Sequence, residues 1–129
     1  MRAVGLDDGA AMILSLLATP AETMNFLSIG DWGGSNDASP TTAAELSNGK
    51  GMQVVAEGLG PPRFVLALGD NFYDKGISGS EYSTRFQTTF EQAFPEPGLQ
   101  CPWYAVAGNH DHHGNVTAQI KYSDHSKRW

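Results

Sequence analysis

Phe64-Val65-Leu66-Ala67-Leu68-Gly69-Asp70-Asn71-Phe72-Tyr73 is the stretch that decides the fold. Its five leading apolar residues read as a strand buried on both faces, because the run is too short for an ordinary helix. Gly69 ends the run and permits a sharp turn. Asp70 then stands just past the carboxyl end of the strand, with Tyr73 three residues on. Ligands of open α/β sheets gather outside the carboxyl ends of the strands. A carboxylate and a phenol displayed there are oxygen donors for a hard cation.

The same order of residues occurs twice more. Asn25-Phe26-Leu27-Ser28-Ile29-Gly30 leads into Asp31-Trp32-Gly33-Gly34, and Trp103-Tyr104-Ala105-Val106-Ala107-Gly108 leads into Asn109-His110-Asp111-His112. A single strand ending in glycine and a polar residue is common and is often only a turn. Three of them in 129 residues point to strands that deliver their tips to one shared site.

The segments between the strands read as helices. Thr42 and Glu45 have the spacing of a capping box, opening a helix that runs to about Leu59. Met52, Val55, Ala56 and Leu59 form its predicted apolar face, and Asn48, Gly49 and Gly51 weaken its first half, where it could break. Gly58, Gly60, Pro61 and Pro62 stop it. Tyr82, Phe86, Phe90 and Phe94 recur at every fourth position, the mark of a helix packing an aromatic stripe into the core. A short helix is predicted over Val116 to Tyr122, and Lys121, Lys127 and Arg128 read as solvated. A strand, a helix and a parallel strand in succession make a crossover unit. The predicted fold class is therefore α/β, in the order β-α-β-α-β.

Composition bounds the function. The chain is 40% hydrophobic and 17% charged, as expected of a globular domain, with a net charge of −6 that argues against nucleic acid as a partner. No Gly-x-Gly-x-x-Gly or Lys-Ser/Thr phosphate loop follows a strand, which weighs against a nucleotide-binding domain. Cys101 is the single cysteine, so no internal disulfide forms, and it reads as a small, partly buried apolar residue. No run is long enough for a membrane span. Residues 1–23 read as a leader or candidate signal segment outside the fold: Ala10 to Leu17 is apolar and Ala18-Thr19-Pro20-Ala21 follows, although Asp7 and Asp8 stand where positive charge is usual. Residues 24–129 read as the globular part.

Asp31, Asp70, Tyr73, Asn109 and His110 are a mixed oxygen and nitrogen set. Aspartate can bridge two cations with its two oxygens. Tyrosine titrates near 10 in water, so as a ligand it needs a strongly polarising ion, which favours trivalent iron over magnesium. Two metals roughly 3.5–4 Å apart can clamp a phosphoryl group and generate hydroxide near neutral pH.

Gly30-Asp31-Trp32-Gly33-Gly34, Gly69-Asp70-Asn71-Phe72-Tyr73 and Gly108-Asn109-His110-Asp111-His112 closely resemble three successive motifs of the purple acid phosphatases. The likeness is to the small, tartrate-resistant type within the calcineurin-like metallophosphoesterase superfamily, and it runs from about Asn25 to Trp129. It implies an acid phosphatase that hydrolyses phosphate monoesters by a dinuclear-metal hydroxide mechanism. Asp31 and Tyr73 are implied as ligands of Fe(III), and Asp70 as the bridge. Asn109 is implied as a ligand of the divalent ion (Fe, Zn or Mn), and His110 as the catalytic contact to the substrate phosphate. Asp111 is a candidate to orient His110 from behind, with a plain loop carboxylate as the equal alternative.

Asn115-Val116-Thr117 is a glycosylation acceptor triplet, placed where the resembling phosphatases carry one. With the leader it suggests a secreted or lysosomal-type location. The family's three further histidine ligands, two of them in a Gly-His-x-His motif, have no counterpart in this sequence. His112, His113 and His125 are not expected to replace them. The chain is thus expected to be the N-terminal half of a metallophosphoesterase α/β sandwich, an incomplete domain with an apolar face left open, inactive by itself. The alternative is a catalytically inactive truncated metal-binding protein.

Overall fold

The computed structural model describes residues 24–129. Three short strands, β1 (Leu27–Ile29), β2 (Val65–Ala67) and β3 (Trp103–Ala105), form one parallel sheet in the order β1-β2-β3. The register aligns Leu27 with Val65 and Val65 with Trp103. All three carboxyl ends therefore emerge along the same edge, as the repeated sequence pattern requires. The leader lies outside the described residues.

Helix α1 (Ala43–Leu59) links β1 to β2. It begins as expected: Thr42 Oγ1 accepts from the Glu45 amide, while Glu45 Oε2 accepts from the Thr42 amide. It does not break at Gly49. That residue lies against Ala93, Phe94 and Glu96, so the missing side chain serves close packing. The buried stripe is Glu45, Gly49 and Ala56. Val55 and Leu59, expected inside, are exposed, because the helix turns its small residues toward its neighbours and not its large ones.

The β2–β3 connection departs from an ordinary helix. Phe86–Glu91 is π-helical, and Pro97–Leu99 is a 3-10 turn packed against α1. Phe86, Phe90 and Phe94 are fully buried, but Tyr82 is exposed, its ring 4.9 Å from that of His125 and tilted to it. Helix α2 occupies Val116–Tyr122, as predicted.

One face of the sheet carries the core. Leu27, Ile29, Val65, Ala67 and Trp103 pack with Trp32, Phe72, Phe86, Phe90 and Phe94. Trp32 is the hub, with Phe72, Phe90, Phe94, Trp103 and Trp129 rings at centroid distances of 5.5 to 6.3 Å. The opposite face is not buried as the apolar run of β2 suggests. Phe26 and Phe64 stack at 5.2 Å and Tyr104 meets Phe64 edge-on, yet Phe26, Leu68, Tyr104 and Val106 remain exposed.

Arg128 is also unlike its predicted solvated state. It is 8% exposed, pairs with Glu91 at 2.9 Å, lies over the Phe90 ring and donates to the carbonyls of Phe94 and Leu99. A buried guanidinium is tolerated here because its donors are met by fixed acceptors. Cys101 is partly buried, and burial pushes its thiol up from the ordinary value.

Candidate metal centre at the strand tips

Asp31, Asp70 and His110 are each followed in sequence by a buried anchor. Asp31 is exposed, and Trp32 behind it is 2% exposed. Asp70 precedes Asn71 and Phe72, and His110 precedes Asp111, all three anchors fully buried. The site is thus a set of polar tips on a rigid aromatic and hydrogen-bonded floor.

Both aspartates sit in the left-handed backbone region, Asp31 at φ 54° and Asp70 at φ 52°. Such conformations cost a non-glycine residue on the order of 1–2 kcal/mol and concentrate at functional sites. Backbone bonds hold them there. The Asp31 amide donates to Gly69 O at 3.1 Å, Gly33 N to Asp70 O at 3.2 Å, and Tyr73 N to Gly33 O at 2.9 Å. Glycine is required at two crossings for steric reasons. A Cβ on Gly33 would strike the Asn71–Phe72 backbone, and one on Gly108 would strike the Asp70 carboxylate and amide.

Three oxygen donors meet at one point. The Tyr73 hydroxyl donates to Asp31 Oδ1 at 2.8 Å and Asp70 Oδ2 at 3.0 Å. Asp70 Oδ1 accepts from the His110 amide at 3.1 Å, which ties the β3 tip to the β2 tip. The His110 ring packs on Tyr73 at 4.5 Å, with Nδ1 2.7 Å from the Asp74 carbonyl. Asn109 is exposed at the β3 tip, next to His110. Among the described residues, no three His, Cys, Asp or Glu side chains gather as a metal-binding group; the cluster is two carboxylates and a phenol.

That donor set fits a cation. Desolvation, followed by hydrogen bonds to Asp31 and Asp70, pushes the Tyr73 phenol above its ordinary value. One phenolic proton holds both carboxylates together. A highly charged cation in place of that proton would be held by these three oxygens and would favour the phenolate.

Asp111 differs from its expected place behind His110. Its fully buried carboxylate accepts from the amides of Asn71 (3.0 Å), Phe72 (3.1 Å) and Gly108 (2.8 Å) and from Gln119 Nε2 (3.0 Å). It holds the backbones of two ligand loops rather than the imidazole. Asn71 extends this floor, accepting from Trp32 Nε1 and donating to Val106 O and Gln119 Oε1. Gln119 and Arg85 carried no sequence signal, since nothing in their spacing marks them as neighbours of the site; Asn71 stands inside the Gly69 to Tyr73 motif, which gives no sign of its distant partners.

His112, His113 and His125 are exposed. Asn115 is exposed too, but its side chain is engaged: Oδ1 caps α2 through Ala118 N and Nδ2 donates to Gly79 O.

The family model of the calcineurin-like phosphoesterases matches residues 24–129. The chain belongs to that family. This phosphoesterase chain is 52% identical over 113 residues to tartrate-resistant acid phosphatase type 5 of Oryctolagus cuniculus, covering 87% of the chain and 34% of the relative. It is 37% identical over 127 residues to purple acid phosphatase 7 of Arabidopsis thaliana, covering 95% of the chain and 37% of the relative. It spans about a third of the length of these curated relatives. Among solved structures it is similar in fold to GAP50, the anchor in the inner membrane complex of Plasmodium, with a TM-score of 0.63 at 24% identity, covering 76% of this chain and 29% of that one.

Proposed function

We propose that this phosphoesterase chain contributes Asp31, Asp70, Tyr73 and Asn109 to a dinuclear centre, Fe(III) plus a divalent iron, zinc or manganese, of an acid phosphatase acting on phosphate monoesters. The observation that carries this reading is the meeting of Tyr73, Asp31 and Asp70 oxygens within 3.0 Å at the ends of β1 and β2. Bound metals at such a site polarise phosphoryl oxygens and make a water-derived nucleophile available near neutral pH. Asp70 turns Oδ2 toward the Tyr73 hydroxyl and Oδ1 toward the His110 amide on the β3 tip, which suits a bridging role. His110, on the neighbouring tip, is placed to contact the phosphate and assist departure of the alcohol. Neither a membrane-spanning segment nor nucleic acid enters this reading; no helix of the described residues is long and apolar enough to cross a bilayer. The apolar Ala10 to Leu17 and the exposed Asn115 triplet support a secretory or lysosomal-type route.

The test is reconstitution with Fe(III). The protein is expected to develop a visible tyrosinate-to-iron absorption band, and Tyr73→Phe to abolish it; a band that survives Tyr73→Phe refutes the assignment. Turnover of p-nitrophenyl phosphate by residues 1–129 alone, abolished by Asp70→Ala, would show that they suffice.

A further inference from the structure

We propose that Arg85 is a positioning residue of the strand-tip centre, clamping the loop behind Asp31 to the loop that carries Tyr73. The inference rests on the metal-centre reading and deepens it. Arg85 precedes the π-helical segment and is 4% exposed. Its Nη2 donates to Gly33 O at 3.0 Å and to Tyr73 O at 2.8 Å. Gly33 lies two residues after Asp31, and the second carbonyl belongs to Tyr73 itself. Gly33 O also accepts from the Tyr73 amide, so one carbonyl joins both loops and the guanidinium.

The rest of the side chain is held equally firmly. Nε donates to Thr89 Oγ1 at 2.9 Å, and that hydroxyl donates to Pro40 O at 2.6 Å. Nη1 pairs with Asp37 at 2.9 Å, and the guanidinium lies 5.9 Å from the Phe72 ring centroid. Asp37 is itself two-thirds exposed, so this ion pair is a poor return for burying a charge. What the buried fork does that another residue cannot is bind two loop carbonyls from one rigid plane while anchored at Nε. A lysine offers a point charge on a flexible stem and cannot reproduce that fork. A 1 Å misplacement of a ligand loop is enough to degrade a metal site. The π-helical turn begins at the next residue and directs Arg85 inward beside Phe86; π turns recur at functional sites.

Two measurements separate this inference from the reading beneath it. In the metal-free protein, Arg85→Lys is expected to speed amide exchange at Tyr73 and Gly33 at least tenfold, with the Val65 amide unchanged. Asp37→Asn, which leaves both carbonyl bonds intact, is expected to leave Tyr73 exchange as in the parent. In iron titrations, Arg85→Lys is expected to bind Fe(III) at least tenfold more weakly, with a shifted tyrosinate band. If Arg85→Lys does not fold, Thr89→Val, which removes the Nε acceptor together with its bond to Pro40 O and leaves both loop-carbonyl bonds, is expected to act in the same direction to a smaller extent. Unchanged Tyr73 exchange in Arg85→Lys, or in Thr89→Val where the former does not fold, overturns the inference; so does equal acceleration by Asp37→Asn. Faster Tyr73 exchange in a protein that binds no iron leaves the clamp standing and removes the metal-centre reading.

Discussion

Replacing Glu45 by glutamine isolates the energetics of one buried carboxyl. Glu45 is 2% exposed, and only one of its oxygens is used, by the Thr42 amide at 3.1 Å. The other, Oε1, is buried without a hydrogen-bond partner. Burial raises its value from 4.5 to about 7, opposed by the Thr42 hydrogen bond and the Arg85 charge. Because the folded value lies above the unfolded one, the proton is held more tightly in the native state. The contribution is full below about 4.5 and is lost as pH rises through about 7. At about 1.4 kcal/mol per pH unit, the loss between pH 5 and pH 8 is about 2.5 kcal/mol. Glutamine keeps an acceptor for the Thr42 amide and cannot ionise. Urea denaturation at pH 5, 6, 7 and 8 is expected to show the parent losing about 2.5 kcal/mol more than Glu45→Gln over that range. Other titrating groups are common to both proteins and cancel. Parallel pH profiles would refute the reasoning.

The floor of the site makes two further predictions. Asp111→Asn places an amide N–H₂ against backbone donors on one side, leaving them unsatisfied; a loss of about 3 kcal/mol in urea unfolding and of iron binding is expected. Gly108→Ala drives a methyl group into Asp70. Its expected outcome is at least tenfold weaker Fe(III) binding by titration, with far-UV circular dichroism unchanged.

The parts legible in the sequence were those written in short stretches of chain. Phe64 to Tyr73 shows a strand, a glycine and a polar tip because alternation of an apolar run with a turn residue is a local property. The Thr42 and Glu45 capping box and the Val116–Tyr122 helix are local in the same sense, and both formed where expected. Recurrence of the strand pattern three times indicated a shared edge, since parallel strands all present their carboxyl ends to one side.

Tertiary contacts decided what local pattern cannot encode. The four-residue spacing of Phe86, Phe90 and Phe94 fits an ordinary helix, yet the segment widens into a π turn. Val55 and Leu59 obey helical periodicity and still face outward, because α1 approaches its neighbours through Gly49 and Ala56. Charge in the sequence suggests a solvated Arg128, whereas distant carbonyls and Glu91 draw it inside. Asp31 and Asp70 could be named as donors from sequence, but the phenol between them reaches Asp31 across 42 residues, and their left-handed backbones are held by bonds between the two loops. The amino-acid order thus specified which groups stand at the strand ends. Only the packed chain, by satisfying each buried donor and acceptor at long range, determined which of them touch and what holds them there.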